Sequence, residues 1–184
     1  FNVDVTGLQS TIFDPSIVNL FFSDNAANAT IKGVEGDFTY YTNVEGLSVA
    51  GAFSILNTNI DDALVPTNDV VVGTDLAFAP GHQGNIRVRK ETGMSGGNVG
   101  HVQVQYTFSD SSFSDIMGPN KAEQDSYSYI DLRAGISNDE LTAELYVDNV
   151  TDERAEISNT FVFDRQRITY IRPTTIGIRV KKNF

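Results

Sequence analysis

Apolar and polar residues alternate most regularly at the end of the chain, between Thr175 and Phe184. Ile176, Ile178 and Val180 are separated there by glycine and by charged side chains. Because successive side chains of a β-strand point to opposite faces, this pattern predicts a strand with one apolar and one polar face. The strand ends on an aromatic residue, which is unfavourable at the edge of a soluble sheet because exposed apolar edges promote aggregation.

Seven further segments show the same alternation: residues 1–5, 29–41, 47–55, 82–90, 101–109, 127–136 and 141–148. The period of two residues recurs in each of them, and a helical period is not found between them. The sequence therefore predicts an all-β fold of about eight amphipathic, antiparallel strands in an up-and-down meander.

The connections between these segments are alternately long and short. Residues 6–28, 57–81, 110–126 and 149–168 are predicted as long loops, and residues 43–46, 92–98 and 137–140 as tight turns. Outer-membrane barrels have long extracellular loops and short periplasmic turns. Alternation by itself also describes a soluble antiparallel sheet with one face in water. The loop pattern and the terminal Phe184 favour an antiparallel transmembrane β-barrel segment, with apolar side chains toward lipid and polar ones toward a wet lumen.

Composition restricts the possible functions further. The 184 residues carry a net charge of −11, which argues against a nucleic-acid partner because phosphate binding requires a basic surface. Cysteine is absent, so disulfides and thiolate sites are excluded. No run of about 18 apolar residues predicts a transmembrane helix. The chain starts in a strand-like segment without a basic leader, and we expect it to be a mature product or a piece of a longer protein.

Few residues are candidates for chemistry. His82 and His101 are the only histidines, too few for a zinc site without cysteine. Asp61 and Asp62, and the acidic loop around residues 110–115, could offer oxygen ligands, but their spacing matches no calcium loop. A nucleophile elbow is absent. We therefore predict that the protein is not an enzyme and has neither a metal site nor a cofactor.

Four segments resemble a known family, the carboxy-terminal part of the β-barrel of TonB-dependent outer-membrane receptors. They are residues 28–35 (NATIKGVE), 73–80 (GTDLAFAP), 129–135 (YIDLRAG) followed by 145–152 (LYVDNVTD), and 172–177 (RPTTIG) together with Phe184. Each segment alone is weakly specific. Their order and spacing over almost the whole chain make the set more specific.

The resemblance implies a function and a set of partners. Family members have a 22-stranded barrel that holds an amino-terminal plug, and nothing here resembles the plug. Residues 1–184 would then be the carboxy-terminal portion of such a barrel in the outer membrane of a Gram-negative bacterium. The whole receptor would take up a scarce nutrient, such as an iron–siderophore complex, with energy from TonB.

The implied partners are outer-membrane lipid, the remaining strands and plug of the same receptor, the TonB complex through the absent amino-terminal region, and the barrel-assembly machinery. For that machinery Phe184 is interpreted as an assembly signal. The residues that bind substrate are not identified.

Two groups of side chains have expected positions in this arrangement. A charged set is expected on the lumenal face, in cross-strand pairs or in contact with the plug: Glu35, Arg87, Arg89, Arg133, Glu144 and Arg179. An aromatic set near strand ends is expected to form interfacial girdles: Tyr40, Tyr106, Phe108, Tyr127 and Phe184.

Two other hypotheses remain open from the residues. Eight strands are enough to close a complete small outer-membrane barrel with an adhesin or structural role. A soluble, carbohydrate-binding β-sandwich would show the same alternation. A compact, heat-modifiable monomer would support the first hypothesis, and high solubility without detergent would support the second.

Overall fold

The computed structural model describes residues 1–13, 17, 21–65, 69–162 and 165–183. Twelve β-strands lie within these residues: β1 (Asn2–Phe13), β2 (Phe21–Tyr41), β3 (Leu47–Ala63), β4 (His82–Gly93), β5 (Val99–Ser109), β6 (Ser112–Phe113), β7 (Glu123–Gln124), β8 (Tyr127–Ser137), β9 (Leu141–Asp148), β10 (Glu156–Val162), β11 (Arg165–Tyr170) and β12 (Thr175–Lys182). Two three-residue 3-10 segments, Ser95–Gly97 and Gly118–Asn120, complete the secondary structure of this part of the chain. In the part of the chain that is described, no helix is long and apolar enough to span a bilayer.

Eight of the strands form one antiparallel sheet in the order β1-β2-β3-β4-β5-β8-β9-β12. Each strand of this sheet pairs with the next one along the chain, which confirms the predicted up-and-down meander. Among the described residues, β1 and β12 each have one neighbour only and form the two edges. The sheet is therefore open, and the described strands do not close into the complete small barrel that the sequence left as an alternative.

Long and short connections alternate as predicted. The three short turns join β2 to β3, β4 to β5 and β8 to β9, and each spans three to five residues. Gly46 closes the first of them at φ +68°, a backbone conformation that residues with a Cβ atom rarely adopt. The longer connections all leave the opposite end of the sheet. They carry the two small hairpins, β6–β7 and β10–β11.

The predicted strand boundaries are wrong at the end of the sheet with the long connections. Residues 6–28 were expected to form a loop, but β1 extends to Phe13 and β2 starts at Phe21. Likewise β3 continues to Ala63, so Asp61 and Asp62 lie in a strand and not in a calcium-loop-like connection. Register shifts between Val5 and Leu8 of β1 interrupt the period of two residues, which explains why the alternation ends too early in the sequence.

A small hydrophobic core lies at this end of the molecule. Its buried members come from β1, β2, β3 and the connections after β3 and β5: Ile12, Ala26, Ala27, Ile60, Val70, Ile116 and Met117. The two connections are joined by a bridge between Val70 and Met117 and by a hydrogen bond from the Gly118 amide to the Asp69 carbonyl, at 2.7 Å. The long connections are therefore packed against the extended ends of β1–β3.

Candidate functional site: the two faces of the sheet

The sheet has two faces of opposite polarity. We name the face with Val34, Val104 and Ile178 the outer face, and the face with Glu35, Arg133 and Glu144 the inner face. Val104 on β5 lies opposite Val88 on β4 and Leu132 on β8, so the apolar side chains of neighbouring strands adjoin.

The apolar side chains of the outer face are exposed. Val104 is 47% and Ile178 74% exposed, and most large apolar side chains in the outer positions of β2–β5, β8, β9 and β12 are exposed as well. β1 differs, because Asn2 and Asp4 occupy its outer positions and Val3 and Val5 its inner ones. In a soluble sandwich these side chains would be buried between two sheets, yet among the described residues the only other sheets have two strands each. A continuous apolar surface of this extent requires an apolar environment such as a bilayer.

In the same seven strands the inner face carries mostly polar, charged or small side chains. Glu35 and Asp37 lie in the rows near the long connections, whereas Arg87, Arg89 and Arg133 lie in rows nearer the short turns. The carboxylates of Glu35 and Asp37 thus lie apart from these three guanidiniums along the strands. A groove of about 550 Å³ crosses the first region, lined among others by Glu35, Asp37, Asn85, Thr107 and Tyr127.

A network of ion pairs occupies the inner face near the short turns. Glu144 is at its centre: its Oε1 accepts hydrogen bonds from Arg133 and Arg179, both at 3.4 Å, and its Oε2 lies 3.1 Å from His101 Nε2. Arg133 also donates to Asp148 at 3.3 Å. These contacts join β5, β8, β9 and β12 across their side chains, so they stabilise one register of the four strands.

Close packing supports this network. The His101 side chain is 3% exposed and lies over Gly135, where an added Cβ atom would come within 2.7 Å of its Cε1. The two guanidiniums of Arg133 and Arg179 lie over the Tyr146 ring, 5.9 and 5.8 Å from its centroid. Cation–π contact adds to the ion pairs. His101 Nδ1 has no hydrogen-bond partner within the described residues.

A second polar centre, around Asn149, fixes the connection between β9 and β12. The Asn149 side chain donates to the carbonyls of Glu153 and Arg172 at 3.0 and 2.8 Å, and it accepts the Glu153 amide at 2.9 Å. Its own amide donates to Asp131 on β8 at 2.8 Å. Asn149 has φ +53° and is 3% exposed. One residue thus connects β8, the end of β9 and the segment that enters β12.

Asp152 completes this turn. The Thr174 amide donates to its Oδ1 at 3.1 Å, and Arg154 lies 3.6 Å from its Oδ2. The hydrogen bond from Thr174, followed by the charge of Arg154, lowers the pKa of Asp152 below its ordinary value. The ionised carboxylate therefore holds the start of β12.

The charged residues predicted for the lumenal face do lie on the inner face, and several of them are paired. Arg133, Arg179 and Glu144 form the network described above, and Ser54 donates to Glu35 at 3.3 Å. Arg89 pairs with Glu91 at 2.8 Å rather than with a predicted member of the set. Arg87 has no ion pair within the described residues.

Part of the aromatic set lies on the outer face, as an interfacial girdle requires, and the girdle itself stays a prediction. Tyr40 and Tyr106 are exposed on the outer face, and Phe108 stacks on Tyr106 with ring centroids 6.1 Å apart. Tyr127 was expected in the same girdle, but it lies opposite Ser109 on the inner face and stacks on Tyr129. Phe184 lies outside the described residues, so its role as an assembly signal stays a prediction.

Sequence reasoning missed the Asn149 centre as a structural feature. An asparagine directly after a strand is a possible sign of a left-handed turn residue. The two histidines have different acidic partners: His82 lies 3.3 Å from Asp110, and His101 lies 3.1 Å from Glu144. Within the described part of the chain, no group of three or more histidine or acidic side chains could hold a metal ion.

Comparison with known proteins places this arrangement in a family. Residues 1–150 match the family model of the TonB dependent receptor-like β-barrel. No curated protein sequence matches the chain.

Solved structures resemble the fold at low sequence identity. The ferric yersiniabactin uptake receptor FyuA of Yersinia pestis superposes with a TM-score of 0.72 at 18% identity, over 89% of this chain and 25% of its own. The ferric preacinetobactin receptor BauA of Acinetobacter baumannii gives 0.68 at 14% identity, over 97% and 26%. The ferripyoverdine receptor of Pseudomonas aeruginosa gives 0.65 at 15% identity, over 100% and 24%. The chain thus spans about a quarter of the length of these receptors.

Proposed function

The chain belongs to the TonB-dependent receptor β-barrel family, and from that premise we propose that it forms the carboxy-terminal part of the wall of a nutrient transporter. The protein is an outer-membrane protein of a Gram-negative bacterium, as are the members of this family. We further propose that the whole receptor takes up an iron–siderophore complex with energy supplied through TonB, and that it catalyses no reaction.

The opposite polarity of the two faces is the observation that carries this proposal. Seven strands, β2–β5, β8, β9 and β12, present apolar side chains on the outer face and mostly charged, polar or small ones on the inner face. A barrel wall between lipid and a water-filled lumen requires this arrangement, because every backbone group is paired and only the side chains meet lipid. The receptors of similar fold are named for ferric yersiniabactin, ferric preacinetobactin and ferripyoverdine, which supports an iron chelate as the substrate.

Uptake by whole cells tests the proposal. Uptake is compared in a strain that lacks the full-length receptor, the same strain complemented with it, and a complemented strain without TonB. Each strain is supplied with radiolabelled iron bound to different siderophores and, in parallel, with radiolabelled nutrients that contain no iron. We expect uptake only when both receptor and TonB are present. A small porin-permeant solute, measured in the same cells, controls for general permeability.

The outcomes separate the parts of the proposal. Receptor-dependent uptake that continues without TonB would contradict the proposed energy source. TonB-dependent uptake of a nutrient without iron would overturn the iron chelate and leave the transporter in place. If the receptor changes the uptake of neither class of nutrient, the transport function itself is wrong.

A further inference from the structure

The polarity of the outer face reverses within β2 and β3. From the short β2–β3 turn as far as Val34 and Ile55, the large side chains in the outer positions are apolar. Val34 is 61% and Ile55 46% exposed. The next outer positions are Lys32 on β2 and Asn57 on β3, which lie opposite each other. Pairing is continuous through this level, with its first register shift at Asn28, so the change is not caused by a bulge. The same strands pass from an apolar to a polar environment.

The outer face stays polar beyond this level over three strands. Two rows follow from the register: Asn2, Lys32 and Asn57 form the first, and Asp4, Thr30 and Asn59 the second, with Asp61 beyond them. Neighbouring strands are about 4.8 Å apart, so each row is about 10 Å wide. We name these seven residues the polar collar.

The opposite side of the collar is covered where β2 and β3 pair. Ala29 and Ile60 on the inner face are 1% and 0% exposed. Ile60 is buried there in a cluster with Val70, Ile116 and Met117 from the connections after β3 and β5. The outer face of the collar is therefore its free side, and it faces the surroundings of the barrel.

Hydrogen bonds preorganise the second row of the collar, whereas the side-chain amides of the first row have no such bonds to described residues. Thr30 and Asn59 donate to the two oxygens of Asp61 at 2.6 and 2.7 Å. These hydrogen bonds lower the pKa of Asp61 and keep it charged. The exposed amides of Asn2 and Asn57, in contrast, have no hydrogen-bond partner within the described residues.

We propose that the polar collar binds the sugar headgroups of glycolipid in the outer leaflet of the outer membrane. The collar is continuous with the lipid-facing surface, because Lys32 and Asn57 lie one outer position, about 7 Å of strand, beyond Val34 and Ile55. Headgroups of the lipids that contact those two residues must lie at this height. Unpaired amides can donate to and accept from sugar hydroxyls, and the Lys32 ammonium can pair with a headgroup phosphate.

Glycolipid retention by the full-length receptor tests the proposal. The receptor is purified in detergent and titrated with lipopolysaccharide or with phosphatidylglycerol, and bound lipid is counted by native mass spectrometry. The test variant carries Asn2→Ala, Lys32→Ala and Asn57→Ala. The control variant removes three polar groups from the inner face, by Asn85→Ala, Gln103→Ala and Gln105→Ala.

We expect the test variant to bind lipopolysaccharide at least about tenfold more weakly, since it loses three polar contacts, and the control variant to bind like the wild type. Heat-modifiable gel migration verifies that each variant is folded. If the triple variant does not fold, Asn2→Ala and Asn57→Ala are measured singly, each with an expected loss of about threefold.

Two results would overturn the proposal. One is undiminished lipopolysaccharide binding by the folded test variants. The other is wild-type binding of phosphatidylglycerol as tight as that of lipopolysaccharide, which would assign the collar to phosphate alone. Neither result depends on nutrient uptake, so a failure of the transport proposal would be seen separately.

Discussion

Replacement of Asn149 by alanine should release the connection between β9 and β12. The substitution removes two side-chain donor bonds, to Glu153 and Arg172, and one acceptor bond from the Glu153 amide. It also removes a bond from the Thr151 hydroxyl, which is exposed and can bond to water instead. Each of the three backbone groups left unpaired costs about 1 kcal/mol, the low end of the range for unsatisfied buried groups, because Glu153 is partly exposed. Alanine at φ +53° adds about 1 kcal/mol relative to a residue that tolerates the left-handed region. The expected total is about 4 kcal/mol.

Hydrogen–deuterium exchange of the full-length receptor in detergent measures this change. For amides that exchange by local opening, 4 kcal/mol corresponds to a rate increase of nearly a thousandfold. We expect it in peptides that cover residues 149–155 and 171–175, with no change in peptides from β4 and β5. Asn149→Gly is the matched variant, because it loses the same side-chain bonds without the backbone cost. It should protect these amides about fivefold better than alanine.

Two results would refute this account. Exchange within about threefold of the wild type in Asn149→Ala would show that the hydrogen bonds do not hold the connection. Equal exchange in the alanine and glycine variants would show that the left-handed backbone does not contribute. The first result concerns the side chain and the second the main chain, so each part of the magnitude is tested separately.

Three further predictions concern the faces and the turn. Val104→Arg places a charge on the outer face and should lower the free energy of unfolding by about 2–4 kcal/mol, whereas Gln105→Arg on the inner face should be tolerated. The folded fraction of the two variants is compared on heat-modifiable gels, and equal fractions would contradict the assignment of the faces. Glu144→Gln should lower stability by about 1–2 kcal/mol, because two partly exposed arginines lose their shared partner, and thermal melts monitored by circular dichroism measure it. Since the pKa of Asp152 is lowered in the folded state, its stabilising effect is present above the unfolded pKa and is lost as the pH falls through the folded one. The melting temperature of the wild type should therefore exceed that of Asp152→Asn at pH 7, and the difference should disappear in acid; a constant difference would contradict the assignment.

Strands β4, β5, β8 and β9 were predicted to within about three residues at each end, because their outer and inner residues keep one pattern from end to end. The far halves of β1, β2 and β3 were missed. There the inner positions are apolar and the outer ones polar, and β1–β2 pairing is interrupted by irregularities near Leu8. A pattern search that expects one fixed arrangement of polarity interprets such a reversal as the end of the strand.

The side chains of the inner face were predicted as a set, but their partners were not. Alternation assigns Arg133, Glu144 and Arg179 to one face, whereas the pairing of β8 with β9 and of β9 with β12 decides which of them meet. Register depends on turn lengths and on contacts across strands, which a single strand does not contain. The role of Asn149 similarly depends on Arg172, which is 23 residues away in the chain.

The tilt of the strands can be derived from the outer polar residues that border the apolar surface at the end of the sheet with the short turns. On β4 this residue is Lys90, which lies level, through β5, β8 and β9, with Ile178 on β12. On β12 the polar edge is Lys182, four residues farther toward the end of the sheet with the short turns. The edge therefore moves by four residues over four strands, or one residue per strand. A membrane surface is flat, so this displacement must come from strands inclined to the membrane normal. With about 3.3 Å per residue and about 4.8 Å between strands, the inclination is about 35°, at the lower end of the range of about 35–45° known for outer-membrane barrels.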